Sequence, residues 1–304
     1  MRTRVRGGCV RLAIALVAIA ALAGVFLVLQ ARRSPEGEPT YVALGSSFAA
    51  GAGLGPLAQG SPLVCARSTN GYPQQLSRVL KLPIVDMSCG GATSVHVLRG
   101  GQFFQGPQLR VVDERTRLVT ITVGGNDVGY IGDLYLLAAR HARTVFGHLV
   151  RAFWSGPKSR DQRGYAKVED DLTTILRIVH ERAPRAVIVL ATYPAILPPA
   201  GTCPQLGMSS AEAASMREVA GGLAAVTRNA ARKGGALFVD MNDLGASHHA
   251  CSAQPWTRGW TNGGIAPFHP NLEGAQATAA AIFQALRSSP AAVTAIREDN
   301  ASRH

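Results

Sequence analysis

Three short loops carry side chains that could together perform nucleophilic catalysis. Ser47 lies among small residues in the segment GSSFAAG, and a serine hydroxyl becomes an effective nucleophile when a neighbouring base accepts its proton. His269, in PFHPNLEG, is of the residue type best suited to exchange a proton near neutral pH. Asn126, in VGGND, carries an amide that could donate a hydrogen bond to an oxyanion. Each segment alone also fits an ordinary turn, so the prediction of an active site depends on all three meeting in the fold.

The elements around these loops predict a layered α/β fold. Apolar runs that suit buried parallel strands occupy Tyr41–Leu44, Ile84–Met87, Leu118–Val123, Ala186–Thr192 and Ala236–Met241. Helical patterns between them occupy Gly71–Leu80, Val168–Arg182, Ser210–Lys233 and Leu272–Arg287. This alternation predicts one three-layer α/β domain with a parallel sheet of about five strands. In such folds the functional loops follow the carboxyl ends of strands, and the loops of Ser47 and Asn126 do so here.

The segment 130–165 is less regular than the rest of the chain. It contains the apolar stretches LYLLAA and FGHLVRAFW, followed by the polar stretch SGPKSRDQRG. The pattern favours a helical excursion that ends in an exposed turn. A lid that covers the substrate is the alternative.

The amino terminus indicates export. Leu12–Leu29 is a run of eighteen uncharged apolar residues with arginines on both sides. As a helix this run would span about 27 Å, slightly less than a typical hydrocarbon core. A basic start followed by such a run is typical of a signal peptide or of an uncleaved membrane anchor, and both remain open. A buried core helix is the third alternative.

The overall charge is misleading until it is located. The chain has 31 Lys and Arg against 19 Asp and Glu, a formal charge of +12, which invites a nucleic-acid interpretation. Six of the basic residues are the arginines around the apolar run, which leaves 25 against 19 from Ser34 onward. With aromatic residues at only 6% and no nucleic-acid motif, the sequence excludes nucleic acid as the expected partner.

The cysteines agree with an exported chain. Apart from Cys9, four remain, at positions 65, 89, 203 and 251, and none forms a C-x-x-C pair. Metal binding would favour such pairs, so no metal site is expected. Four separated cysteines in an exported chain predict two disulfides, and three pairings are open on spacing alone.

The combination of loops resembles the SGNH or GDSL-type esterase and lipase family, over about residues 40–286. The resemblance implies a flavodoxin-like α/β/α sandwich with Ser47 as the nucleophile and His269 as the base. It also implies an oxyanion hole made by the Ser47 and Gly91 backbone N–H groups and the Asn126 side chain. Gly91 matches through the segment CGGAT, which is similar to the family's C-S-G-A-T block.

The cysteine positions resemble those of the secreted actinobacterial branch of this family. That resemblance implies the pairs Cys65–Cys89 and Cys203–Cys251.

The chain departs from the family pattern at two positions. Ser46 stands where the G-D-S motif has aspartate, a change expected to alter the bonding of the turn rather than the reaction. Ala266 stands where the D-x-x-H motif has the acid that orients the histidine. Some members of the similar branch use a backbone carbonyl three residues before the histidine, so we expect the Ala266 carbonyl to orient His269. Asp240 and Asp243 are the alternatives.

These observations predict an exported serine ester hydrolase with a Ser–His dyad, no cofactor, and an acyl ester of a lipid, small molecule or glycan as substrate. The alternatives are a carbohydrate O-deacetylase or acyltransferase, and an impaired exported binding protein.

The predicted organisation is a signal peptide or anchor at 1–33, a stem at 34–39, the hydrolase domain at 40–288 and a polar tail at 289–304. An uncleaved amino-terminal segment would contact the membrane, with the domain on its outer face; after cleavage the protein would be secreted.

Overall fold

The strands form one parallel sheet that places the predicted loops at one edge. The computed structural model describes residues 2–32, 37–262, 264–290 and 292–295. Strands β1 to β5 are Tyr41–Gly45, Ile84–Asp86, Leu118–Thr122, Val187–Ala191 and Leu237–Val239. Their order in the sheet is β2-β1-β3-β4-β5, and every neighbouring pair is parallel. This is the flavodoxin-like order, so the predicted α/β fold is confirmed.

Helices cover both faces of the sheet. The α-helices, α1 to α10, are Arg2–Ala31, Ser47–Ala50, Tyr72–Leu80, Ser94–Arg99, Tyr130–His141, Val145–Phe153, Tyr165–Arg182, Ser210–Lys233, Met241–Leu244 and Leu272–Arg287. All of β1 is buried because its side chains alternate between two apolar layers. Val42 and Leu44 pack in the layer that contains α4, α5, α7 and α8. Tyr41 and Ala43 pack in the layer that contains α3 and α10.

The irregular segment 130–165 contains two short helices, α5 and α6, rather than one long helix. Helix α5 begins directly after the loop that contains Asn126, and only residues 142–144 separate it from α6. Thr144 caps α6 by accepting a hydrogen bond from the Gly147 N–H at 3.0 Å. The helical excursion expected from the sequence is therefore present, with its second helix packed against the first.

The amino-terminal helix α1 lies outside the core. Within it, Ile14–Ala31 is long and apolar enough to cross a membrane, and 6% of this stretch is buried. The alternative of a buried core helix is therefore wrong. Two hydrogen bonds join its end to the domain: Leu63 N–H donates to Gln30 Oε1 at 3.2 Å, and Arg32 Nε donates to the Phe104 carbonyl at 3.4 Å. Residues 33–36 of the predicted anchor and stem, and residues 291 and 296–304 of the predicted tail, lie outside the described residues.

Both disulfides implied by the family resemblance are present. Cys65 is bonded to Cys89 and Cys203 to Cys251. The first joins the loop after α2 to the loop after β2, directly before Gly90 and Gly91. It therefore ties together two segments that approach the candidate nucleophile.

Candidate active site

Ser47 lies at a tight strand-to-helix turn. Strand β1 ends at Gly45, which has φ +141°, and a Cβ there would lie 2.2 Å from the Thr122 carbonyl oxygen. Only glycine allows this approach to β3. The Gln108 side chain holds the same backbone, because its Oε1 accepts from Gly45 N–H at 2.7 Å and its Nε2 donates to Gly45 C=O at 3.0 Å. Ser47 is then the first residue of α2, where the helix supplies no acceptor for its N–H.

Ser46, which replaces the family's aspartate, takes part in a buried hydrogen-bond network. Its hydroxyl lies 2.9 Å from the Tyr193 hydroxyl, and Tyr193 Oη accepts from the Gly125 N–H at 3.1 Å. Burial raises the pKa of Tyr193, so its hydroxyl stays protonated. The substitution thus changes the bonding of the turn and links the loop after β1 to the loop after β3.

His269 contacts the hydroxyl of Ser47 although the two residues are 222 positions apart. Its Nε2 lies 2.8 Å from Ser47 Oγ. Its Nδ1 lies 2.8 Å from the carbonyl oxygen of Pro267. Since a carbonyl only accepts hydrogen bonds, Nδ1 carries the proton and the Nε2 lone pair faces Ser47. This is the tautomer that a general base requires.

The expectation that the Ala266 carbonyl orients His269 is wrong by one residue. Phe268 has φ +61°, and this left-handed turn brings the Pro267 carbonyl back to the imidazole ring. The methyl group of Ala266 packs instead against Gly53, where an added Cβ would lie 2.5 Å away. The chain around the turn is fixed by Arg258, whose N–H donates to the His269 carbonyl at 2.9 Å and whose carbonyl accepts from Phe268 N–H at 3.1 Å.

The surroundings of His269 favour its neutral form. Burial of the imidazole is the largest influence on the pKa of His269 and lowers it. The hydrogen bond to Pro267 raises this pKa, and the positive charge of Arg258 lowers it further. The Phe48 ring packs on the imidazole at a centroid distance of 5.0 Å and on Tyr193 at 4.3 Å. The histidine can therefore accept a proton at neutral pH.

Asn126 and Gly91 belong to two loops that are joined beside the nucleophile turn. Asn126 Nδ2 donates to the Ala92 carbonyl at 2.8 Å. Gly91 has φ +76°, and Gln102 holds the preceding peptide by donating to the Gly90 carbonyl at 2.6 Å. These contacts bring the second and third family blocks together at the carboxyl ends of β2 and β3.

Asp127 fixes the same junction. Its carboxylate accepts from the Ser94 N–H at 3.1 Å and from the Ser94 hydroxyl at 2.6 Å, where α4 begins. Burial raises the pKa of Asp127, and the Ser94 hydrogen bonds oppose that effect. Among the described residues, no group of three His, Cys, Asp or Glu side chains could hold a metal ion.

Comparison with known proteins identifies the family of this chain. The sequence pattern of the GDSL-like lipase/acylhydrolase family matches residues 43–277. The chain belongs to this family. It is 30% identical over 256 residues to Lipase 2 of Streptomyces coelicolor, covering 79% of this chain and 83% of that one.

Two solved structures of Streptomyces proteins have the same fold. An extracellular lipase from Streptomyces rimosus superposes with a TM-score of 0.64 at 27% identity, covering 81% of this chain and 99% of that one. A phospholipase A1 from Streptomyces albidoflavus superposes with a TM-score of 0.62 at 24% identity, covering 83% and 99%. The chain is thus a carboxylic ester hydrolase of the GDSL type.

In this GDSL-type hydrolase the carboxylate of Asp240, one of the two alternative acids for His269, has other partners. Asp240 forms an ion pair with Arg228 and accepts a hydrogen bond from the Thr192 hydroxyl at 3.0 Å. Asp240 also caps α9 through the Asp243 N–H at 3.3 Å. Within the described ranges, no carboxylate forms a hydrogen bond with the imidazole of His269.

Several site residues were missed by the sequence analysis. Tyr193 lies two residues after the carboxyl end of β4, a position that could have identified it. Gln108 gave no comparable signal, because it contacts Gly45 from a distant part of the chain. Phe48 gave none either, because an apolar side chain at that position looks like ordinary core. Pro267 was visible beside His269, but its role depends on the left-handed turn at Phe268.

Proposed function

We propose that this protein is an exported ester hydrolase that works through an acyl-enzyme on a Ser47–His269 dyad. The observation that carries the proposal is the chain of two hydrogen bonds at His269. One runs from Nε2 to Ser47 Oγ and the other from Nδ1 to the Pro267 carbonyl, each at 2.8 Å. This arrangement orients a neutral base against a hydroxyl that occupies the start of a short helix.

The reaction follows from these positions. Ser47 Oγ attacks the ester carbonyl carbon while His269 Nε2 accepts the hydroxyl proton. The Ser47 and Gly91 N–H groups and the Asn126 amide stabilise the negative charge that develops on the carbonyl oxygen. The tetrahedral intermediate then expels the alcohol, which takes its proton from His269, and leaves an acyl group on Ser47. Water, deprotonated by His269, cleaves that ester, releases the acid and restores Ser47.

The Pro267 carbonyl takes over part of the work of the missing acid. An aspartate would orient the histidine and also stabilise the imidazolium through its full negative charge. A carbonyl supplies orientation and the correct tautomer, but only a partial charge. The dyad should therefore depend strongly on the rigid turn at Phe268, since no carboxylate compensates for a displaced ring.

Export is supported by three separate features. The apolar helix α1 carries a stretch, Ile14–Ala31, that could cross a membrane. Two disulfides are present, and disulfides persist in oxidising compartments. A relative of the same family is described as an extracellular lipase. We accordingly propose residues 1–33 as a signal peptide or membrane anchor, 34–39 as a stem, 40–288 as the hydrolase domain and 289–304 as a tail.

The direct test compares ester turnover by the wild-type chain with that of Ser47→Ala. With p-nitrophenyl acetate through octanoate, we expect Ser47→Ala to lose at least about 10³-fold in kcat. Ser155→Ala, at an exposed serine outside the site, is the matched control and should keep wild-type turnover. Equal turnover by Ser47→Ala and wild type would show that Ser47 is not the nucleophile. Product analysis with an acceptor sugar present distinguishes hydrolysis from acyl transfer.

A further inference from the structure

Helix α6 exposes an apolar face that the rest of the described chain leaves uncovered. Val145 and Phe153 are 80% and 84% exposed, and Phe146 and Leu149 are 48% and 50% exposed. At 3.6 residues per turn these four side chains fall within an arc of about 100°. We refer to these four residues as the α6 face.

The α6 face is not the result of a frayed helix. Val150 and Gly147 are buried on its other side, and a Cβ at Gly147 would lie 2.3 Å from the Ala142 carbonyl oxygen. The Thr144 cap closes the first turn. Arg151 Nη1 donates to the carbonyls that end α5, including that of Ala142 at 3.2 Å. The helix is thus fixed to α5 with its apolar side turned to the solvent.

Basic residues precede and follow α6 along the chain, and one lies within it. No acidic residue occurs between Asp133 and Asp161. That interval contains five basic residues: Arg140, Arg143, Arg151, Lys158 and Arg160. In the part of the chain that the structure describes, none of the five forms an ion pair with a carboxylate. An amphipathic helix with cations beside an apolar face is typical of segments that lie in the interface of an anionic membrane.

We propose that α6 inserts its apolar face into the headgroup region of an anionic lipid bilayer and holds the catalytic domain against it. The cations favour lipid over a second copy of the chain, since pairing two α6 faces would bring like charges together. A bilayer is also the environment that the apolar stretch Ile14–Ala31 fits. This inference concerns lipid binding and does not depend on the role of Ser47.

Helix α5 connects α6 to the loop that contains Asn126. Helix α5 begins at Tyr130, four residues after Asn126, and three residues separate its end from the start of α6. The oxyanion loop, α5 and α6 therefore form one continuous packed unit.

The test measures whether a probe on α6 enters lipid when the full chain is reconstituted in vesicles. In a Cys9→Ser background, Ala152→Cys is labelled with the environment-sensitive fluorophore NBD. Ala152 is exposed on α6, so labelling it keeps the α6 face intact. The matched control carries NBD at Ala280→Cys, an exposed alanine of α10 on the opposite side of the sheet. Vesicles contain doxyl-labelled lipid in phosphatidylcholine, with or without about 30% phosphatidylglycerol.

We expect quenching of the probe at position 152 in anionic vesicles to exceed that at position 280 by at least about threefold, and to fall when phosphatidylglycerol is omitted. Replacing Phe146, Leu149 and Phe153 with serine should reduce the quenching at position 152 to that of the control. The same serine variant should still cleave p-nitrophenyl acetate at the wild-type rate, which shows that it is folded.

Two outcomes would overturn the proposal. One is quenching at position 152 that equals the control or is independent of phosphatidylglycerol. The other is an emission shift at position 152 that increases with protein concentration but is insensitive to doxyl lipid, which would identify a second copy of the chain as the occupant.

Discussion

Replacing Asn126 with alanine tests the proposed oxyanion hole. The amide of Asn126 has two N–H groups, and one donates to the Ala92 carbonyl at 2.8 Å. We propose that the other donates to the oxyanion, beside the backbone N–H groups of Ser47 and Gly91. The substitution removes one of three donors and leaves the nucleophile and base in place.

The expected loss follows from this count of donors. Removal of one oxyanion donor raises the activation free energy by about 2.7–4 kcal/mol, so kcat of Asn126→Ala should fall about 10²–10³-fold. KM should change less than about threefold, because the donor acts mainly in the transition state. The buried Ala92 carbonyl also loses its partner, which should lower the free energy of unfolding by about 1–3 kcal/mol.

The assay pairs steady-state hydrolysis of p-nitrophenyl butyrate with urea unfolding. Asn70→Ala is the matched control, because Asn70 Nδ2 also donates to a loop carbonyl, that of Leu54, at 2.8 Å. The control should show a similar loss of stability but keep kcat within about threefold of wild type. A fall in kcat of Asn126→Ala no greater than that of the control would refute the assignment of Asn126.

Three further predictions concern the base, a disulfide and the buried network. Arg258→Met should raise the pKa of His269 by removing a nearby positive charge, so the acid limb of the kcat/KM profile should move to higher pH; an unmoved limb contradicts this. Replacing Cys203 and Cys251 with serine opens a link between residues 48 positions apart and should cost about 4 kcal/mol of stability; an unchanged urea midpoint would contradict this. Tyr193→Phe removes the hydroxyl that joins two active-site loops and should lower kcat by about tenfold with little change in KM; an unchanged kcat would leave that network without a positioning role.

Local patterns predicted the framework of the fold well. The run YVAL is apolar throughout, and it is buried on both faces of the sheet as a parallel strand should be. The apolar periodicity of Ser210–Lys233 gave both ends of α8. The carboxyl ends of β1 and β3 then placed Ser47 and Asn126 on the same edge, because parallel strands all point the same way.

The parts that could not be predicted depend on contacts between distant segments or on one backbone angle. The partner of His269 Nδ1 shifts from the Ala266 carbonyl to that of Pro267 because Phe268 adopts φ +61°, which a β-carbon-bearing residue rarely does. Gln108 supports Gly45 across 63 residues, and no local pattern encodes such a pairing. The apolar letters of α6 resemble ordinary core, and only their exposure distinguishes them.

The central claim is that Ser47, with His269 oriented by a backbone carbonyl, forms a covalent acyl-enzyme. Intact-mass and peptide mass spectrometry after reaction with a fluorophosphonate identifies the activated nucleophile that this claim requires, because the reagent phosphonylates that serine oxygen and releases fluoride. We predict one adduct per chain, located on Ser47, that forms more slowly as the pH is lowered and is absent from Ser47→Ala. An unmodified wild-type chain, or an adduct on another serine, would contradict the claim.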